Sequence, residues 1–286
     1  MKDHDPLVQR DRLRAQVRRW REGAEETQKG LAKAMDWSPS KVVRIESGEV
    51  PISTNDLRVL LDHYHVTDPA TVRATLDLAR DSRGPSEFDA FADVLEGGFR
   101  AFLAYERSAI AIRAFHPSVI PGLLQVERYA RALLAARALP QQHIDRFWES
   151  RAQRQDLHDV ADPPHMVFLI DESAIRRMIG DADTMVRQLR HLAAMAEREH
   201  VTIRVLPFTS GMFPGVESMS ILEFDDVDLD DLVYVETSHD TLRQGLEKTI
   251  EFSELASRLE EHTLDEQSSI ALINSQIEQL AEPAHA

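Results

Sequence analysis

Through residues 1–80 apolar positions recur every three or four residues, the period of helices with one buried face. Leu13, Val17 and Trp20 predict a helix over 10–22. Thr27 is a cap for a second helix anchored by Leu31 and Met35, which ends in a turn near Asp36. Ser38 caps a third, with Val42 and Ile45 on its inner face, that stops at Gly48. Ser53 with Asp56 is a capping-box variant ahead of Leu57, Leu60 and Leu61, giving a fourth helix to about residue 64. Val72, Leu76 and Leu78 give a fifth over 67–80. Gly84-Pro85 then supplies turn chemistry, and the chain divides into domains of 1–80 and 81–286.

The second stretch reads differently. Phe88, Phe91, Val94, Leu95, Phe99, Phe102 and Leu103 form a stripe that suits one helix over 88–105, weakened at its centre by Gly97-Gly98. Residues 109–115 read as a strand, 116–125 as a structured loop, and 126–137 and 141–158 as helices. The run MVFLI (166–170) is a buried strand, 181–199 a long amphipathic helix, and VTIRVLPF (201–208) a half-buried strand. MSILEF (219–224) and DLVYVET (231–237) are two further strands, and helices over 243–263 and 265–281 close the chain. The expected fold is an N-terminal all-α domain of five helices, followed by a C-terminal α/β (α+β) domain with a sheet of four or five strands.

Composition changes this picture little. The 286 residues are 43% hydrophobic and 29% charged, with no apolar run of membrane-spanning length and no apolar core near the N-terminus for a secretory signal. A cytoplasmic, nucleoid-associated protein is expected. With no cysteine, thiolate metal sites and disulfides are excluded.

Charge is more informative. The net charge of −16 divides unevenly: residues 1–65 hold 12 basic and 11 acidic residues, so the remainder carries the acidity. Six arginines lie between Arg10 and Arg21, as a helix laid along a phosphate backbone would have them. The run DDVDLDD (225–231) reads as a solvated hairpin loop.

No G-x-S-x-G, H-E-x-x-H or Walker loop is present, so no catalytic residue, metal or cofactor is expected. The loop LPFTSGMFPG (206–215) follows a strand and carries Phe208, Met212 and Phe213, which makes it a possible pocket. Asp171 and Glu172 read as a hydrogen-bonding pair at a strand end.

The segment TQKGLAKAMDWSPSKVVRIESG (27–48) has the layout of a helix-turn-helix, with Ala32 where the two helices cross and Ser40, Lys41 and Arg44 on the outer face of the second. It resembles the helix-turn-helix of phage-repressor-like (XRE, Cro/cI-type) transcription regulators. The resemblance implies that Ser40, Lys41, Val43 and Arg44 read bases, and that Gln28, Ser38 and Ser47 hold the DNA backbone. Arg21 and Glu46 would form a structural ion pair. Asp36 departs from the family's usual glycine at the turn, and Gly30 lies inside the first helix of the motif.

The blocks VIPGLLQVERYARALL, RAQRQDL, LIDESAIRRMIG, MVRQLRHLAAMA, VTIRVLPFTSG and LVYVET, in that order, resemble an actinobacterial family of WhiJ-like regulators. That resemblance implies a homodimer on double-stranded operator DNA, with a C-terminal domain that senses a small-molecule effector or docks a small protein encoded nearby. The alternative it leaves is an antitoxin-like interaction module that sequesters such a partner.

Overall fold

The computed structural model describes residues 5–211, 213, 217–236, 241–244 and 246–281. Five helices form the N-terminal part: α1 (Pro6–Gly23), α2 (Gln28–Ala34), α3 (Pro39–Glu46), α4 (Thr54–His63) and α5 (Pro69–Asp81). Each begins on a side-chain cap, supplied by Asp5, Thr27, Ser38, Ser53 and Asp68 in turn. In α1, α3 and α5 a proline follows the cap, where its missing N–H is no loss. The Asp5-Pro6 pair starts α1 four residues ahead of the expected Arg10: the cap and proline initiate the helix there, and Val8 in the added turn is fully buried. Leu13, Val17, Leu31, Ala32, Val42, Ile45, Leu57 and Leu60 form a shared core, all nearly inaccessible to solvent. Asp36 has φ of 55°, a left-handed turn that aspartate tolerates better than most residues.

This first unit runs to Ala90 and takes in Asp225–Asp230. The Asp5 carboxylate accepts hydrogen bonds from Ser86 Oγ (2.7 Å) and Glu87 N–H (3.1 Å), tying the segment after α5 to the start of α1. The single helix expected over 88–105 is replaced by a 3-10 turn (Glu87–Phe91) and α6 (Gly97–Glu106). The two glycines stand at the start of α6. In mid-helix each would cost about 1 kcal/mol against alanine.

The second unit spans Phe91–Phe224 and Asp231–Ala286. Its sheet contains β1 (Ala111–His116), β2 (His165–Asp171), β3 (Val201–Leu206), β4 (Ser218–Glu223) and β5 (Leu232–Glu236), the five strands that the hydrophobic pattern predicts. A short β6 (Thr241–Gln244) is added at the edge. The order is β3-β2-β1-β4-β5-β6. β1, β2 and β3 are parallel neighbours, whereas β4, β5 and β6 pair antiparallel.

The crossover from β1 to β2 carries α7 (Glu127–Ala135) and α8 (Gln141–Gln155). That from β2 to β3 carries α9 (Glu172–Arg176) and α10 (Ala182–Met195), and α11 (Leu246–Glu261) and α12 (Glu266–Ala281) close the chain. The continuous apolar run in β2 is explained by burial on both faces, with Met166, Phe168, Leu169 and Ile170 all buried. From β3 the chain returns across the sheet to β4, beside β1, so the winding direction reverses between β1 and β4. No helix among the described residues is long and apolar enough to cross a membrane.

Candidate nucleic-acid interface

α3 presents two contrasting faces. Val42, Ile45 and Glu46 are buried, whereas Ser40, Val43, Arg44 and Ser47 are exposed, Val43 at 46%. Ser38 Oγ accepts the Lys41 N–H at 3.3 Å and lies 3.1 Å from Ser40 Oγ. At the other end Ser47 Oγ donates to the Arg44 carbonyl, and Gly48, with φ of 77°, stops the helix. A Cβ on Gly48 would meet Arg14 Nη1 at 2.8 Å, so the Arg14 guanidinium takes the space that a side chain would need, and the left-handed φ favours glycine.

The inner face is locked by charge. Arg21 donates from Nε to Glu46 Oε1 at 2.6 Å and from Nη2 to Oε2 at 3.0 Å, a bidentate pair with Glu46 1% exposed. Gln28 Nε2 adds a third donor to Glu46 at 2.9 Å. Burial alone would raise the Glu46 pKa, but the hydrogen bonds from Arg21 and Gln28 outweigh it and hold the carboxyl below its ordinary value. Gln28, assigned by resemblance to the DNA backbone, therefore has its amide nitrogen turned to the ion pair in the free protein.

The candidate base readers are held loosely. Lys41 Nζ lies 2.9 Å from Asp56 and 4.0 Å from the centroid of the Trp37 ring. Arg44 Nε lies 3.1 Å from Glu49, with both side chains more than half exposed. Exposed pairs of this kind contribute under about 1 kcal/mol, so a phosphate or base edge can displace them.

In the arginine-rich α1, several arginines have partners within the protein. Arg18 Nη2 donates to the Glu46 carbonyl at 2.9 Å and Arg14 Nη1 to the Ser47 carbonyl at 3.0 Å. Together with Arg21 they place cations at the C-terminus of α3, where the helix dipole favours them. The spacing 14, 18, 21 is one helical face, a signal present in the sequence but masked by the simpler count of basic residues. Arg12 and Arg19 lie seven residues apart and pair with Asp226 and Asp228 of the same unit. The expectation of a solvated acidic loop fails for these two aspartates, whose side chains are only 16% and 11% exposed.

In the second unit, Asp171 caps α9 by accepting from Ser173 N–H, and Glu172 accepts from Phe208 N–H at 2.7 Å, both as strand-end hydrogen-bonding groups. Phe208 is 55% exposed, while Phe213 packs on the sheet core with its ring edge-on to His262. Met212 lies outside the described residues. The loop thus sends its two described aromatics to different surroundings.

A polar recess that the sequence did not signal lies elsewhere in this unit. It is lined by Phe99, Phe102, His116, Arg151, Arg154, Ser218 and Tyr234, among others. Also unforeseen was the pairing of His158 Nδ1 with His200 Nε2 at 3.3 Å, with His158 Nε2 3.1 Å from the Leu123 carbonyl.

Residues 12–75 match the family described as Helix-turn-helix domain, and residues 99–275, more than half of the chain, match the family described as Domain of unknown function (DUF5753). No curated protein and no solved structure matches the chain.

Proposed function

The chain belongs to the DUF5753 family, and from that membership and its helix-turn-helix domain we propose that it is a sequence-specific transcription regulator of the XRE, WhiJ-like type. The observation that carries this is the division of α3: an inner face fixed by Val42, Ile45 and the Arg21–Glu46 pair, and an outer face of Ser40, Lys41, Val43 and Arg44 open to solvent. α3 enters the major groove. Arg44 and Lys41 donate to guanine O6 and N7, and Val43 meets a thymine methyl. Ser38, Ser47 and Gln28 sit at the ends of α2 and α3, where N–H and hydroxyl donors hold phosphates. The C-terminal unit responds to a ligand or small partner, and the protein binds as a two-fold dimer on half-sites about one helical turn apart.

Selection of the full chain against random duplex DNA tests the reading. It expects an enriched palindrome whose half-sites contain a guanine that the Arg44→Ala variant no longer prefers. Enrichment of no sequence would contradict it, and a monomer by light scattering on the selected site would contradict the dimer.

A further inference from the structure

The strand order β3-β2-β1-β4 reverses direction between β1 and β4, and in open α/β sheets the crevice at such a reversal, outside the carboxyl ends of the parallel strands, is where ligands bind. In the second unit that crevice is occupied by the polar recess. His116 ends β1, Ser218 opens the adjacent β4, and Tyr234 and Glu236 end β5. Phe99 and Phe102 of α6 and Arg151 and Arg154 of α8 complete the walls. The recess opens to solvent and has a cavity volume of about 60 Å³.

The charges lining it do not balance inside. Arg154 is neutralised by a bidentate pair with Glu106, at 2.6 and 2.7 Å, and Glu106 is 1% exposed. His116, 3.0 Å from Ser218 Oγ, is pushed by burial down to about 3 and is uncharged at neutral pH. Arg151 has no carboxylate within ion-pair distance among the described residues. Its hydrogen bond goes to Gln125 Oε1, an oxygen of a neutral amide. Burial, reinforced by the neighbouring Arg154 and opposed by Glu236, pushes its pKa down to about 10, so it is still a cation at neutral pH. A guanidinium has five donors, and a half-buried cation whose neighbouring carboxylate, Glu236, lies beyond ion-pair distance can still take a closer anion. The carboxylate of Glu236 stands exposed in the rim.

We propose that this recess binds the carboxylate of a small organic monoanion, with Arg151 as its partner and Phe99, the half-exposed edge of the aromatic cluster it forms with Phe102 and Tyr234, as the seat of its apolar body. Phe102 and Tyr234 stack at 4.4 Å between centroids, and Phe99 lies within 6 Å of both. The cavity volume admits a carboxylate and the carbon next to it, and the remainder of the ligand lies in the open part. A single cation with no carboxylate at ion-pair distance among the described residues suits one negative charge. A phosphate dianion would leave a surplus facing Glu236.

The proposal deepens the effector-binding part of the proposed function, and its test needs no DNA. Calorimetric titration of the full chain would use phenylacetate, its neutral isostere phenylacetamide, and inorganic phosphate as probes. The expected result is binding of phenylacetate, with phenylacetamide weaker by about tenfold or more, as loss of a charge-assisted hydrogen bond implies. Phosphate should not compete. Arg151→Met should abolish the preference for the acid over the amide, and Arg151→Lys should keep part of it. The comparison of acid with amide on the unmodified chain stands even where a variant misfolds. Equal binding of acid and amide, binding of neither, or displacement by phosphate would overturn the proposal. A chain that binds phenylacetate in this way yet selects no DNA sequence would leave the recess standing and overturn the regulator reading.

Discussion

Arg44 and Arg21 lie on adjacent elements and do opposite work. Arg44 is exposed, paired with Glu49 among the described residues, and in the proposed reading its value lies in a contact made to DNA. Arg44→Ala should cost about 1–3 kcal/mol on a selected site and relax preference at one base pair, with little change in stability. Fluorescence anisotropy on matched and substituted duplexes would check this, and an unchanged preference would remove Arg44 from base reading. Arg21 is buried against Glu46, and removing one partner leaves the other charged and unpaired. Arg21→Met should therefore destabilise the chain by about 3–5 kcal/mol in urea unfolding, while the double Arg21→Met/Glu46→Met variant should recover much of that loss. The pair also has a pH signature. The folded carboxyl titrates below its ordinary value of about 4.3, so its contribution is full above that value and is lost as pH falls through the lower folded pKa. The Arg21→Met variant should lack that part of the acid loss.

At the scale of elements, local signals carried most of the outcome. Helices α2 to α5 stand within about two residues of where caps and apolar spacing put them, because a Ser, Thr or Asp cap acts through bonds only three residues long, whereas α1 begins four residues early on Asp5. The Gly97-Gly98 pair shows the limit: the stripe from Phe88 to Leu103 is real, but periodicity does not say whether one helix or two short elements display it. The fate of the α1 arginines was also hidden, since whether a cation meets phosphate or a helix C-terminus is a tertiary fact. So was the recess, whose lining residues come from α6, α8, β1, the loop after β1, β4 and β5, which are brought together only by the fold. The acidic loop yields a prediction of its own. Asp226→Asn/Asp228→Asn frees Arg12 and Arg19, and non-specific DNA affinity should rise. The slope of log K against log salt should steepen by about 0.9 for each arginine that gains a phosphate. An unchanged slope would mean that neither arginine reaches DNA.

Across the whole molecule, the distribution of charge and the buried histidines set the working conditions. The acidic remainder of the chain weakens non-specific attraction to DNA, which in the proposed reading leaves discrimination to the α3 face. His158 is pushed down to about 4 by burial and then by neighbouring His200 and Arg198, and His116 to about 3 by burial and then by Arg154. Each stays neutral in the fold while its unfolded counterpart, with a pKa of about 6.5, takes up a proton. Stability is therefore full above about 6.5 and falls as pH drops towards those folded values, by about 1.4 kcal/mol per pH unit for each histidine at most. Melting temperatures from pH 7 to pH 5 should fall, and less steeply in His158→Gln. A flat profile would mean that these histidines are already hydrated.

The central claim, that the outer face of α3 selects this protein's sites, is tested most directly by genome-wide footprinting of the tagged chain beside its Lys41→Ala/Arg44→Ala variant at equal abundance. Discrete peaks that share a palindrome and vanish in the variant are expected. Peaks that persist unchanged in the variant, or no discrete peaks for the unmodified chain, would contradict it.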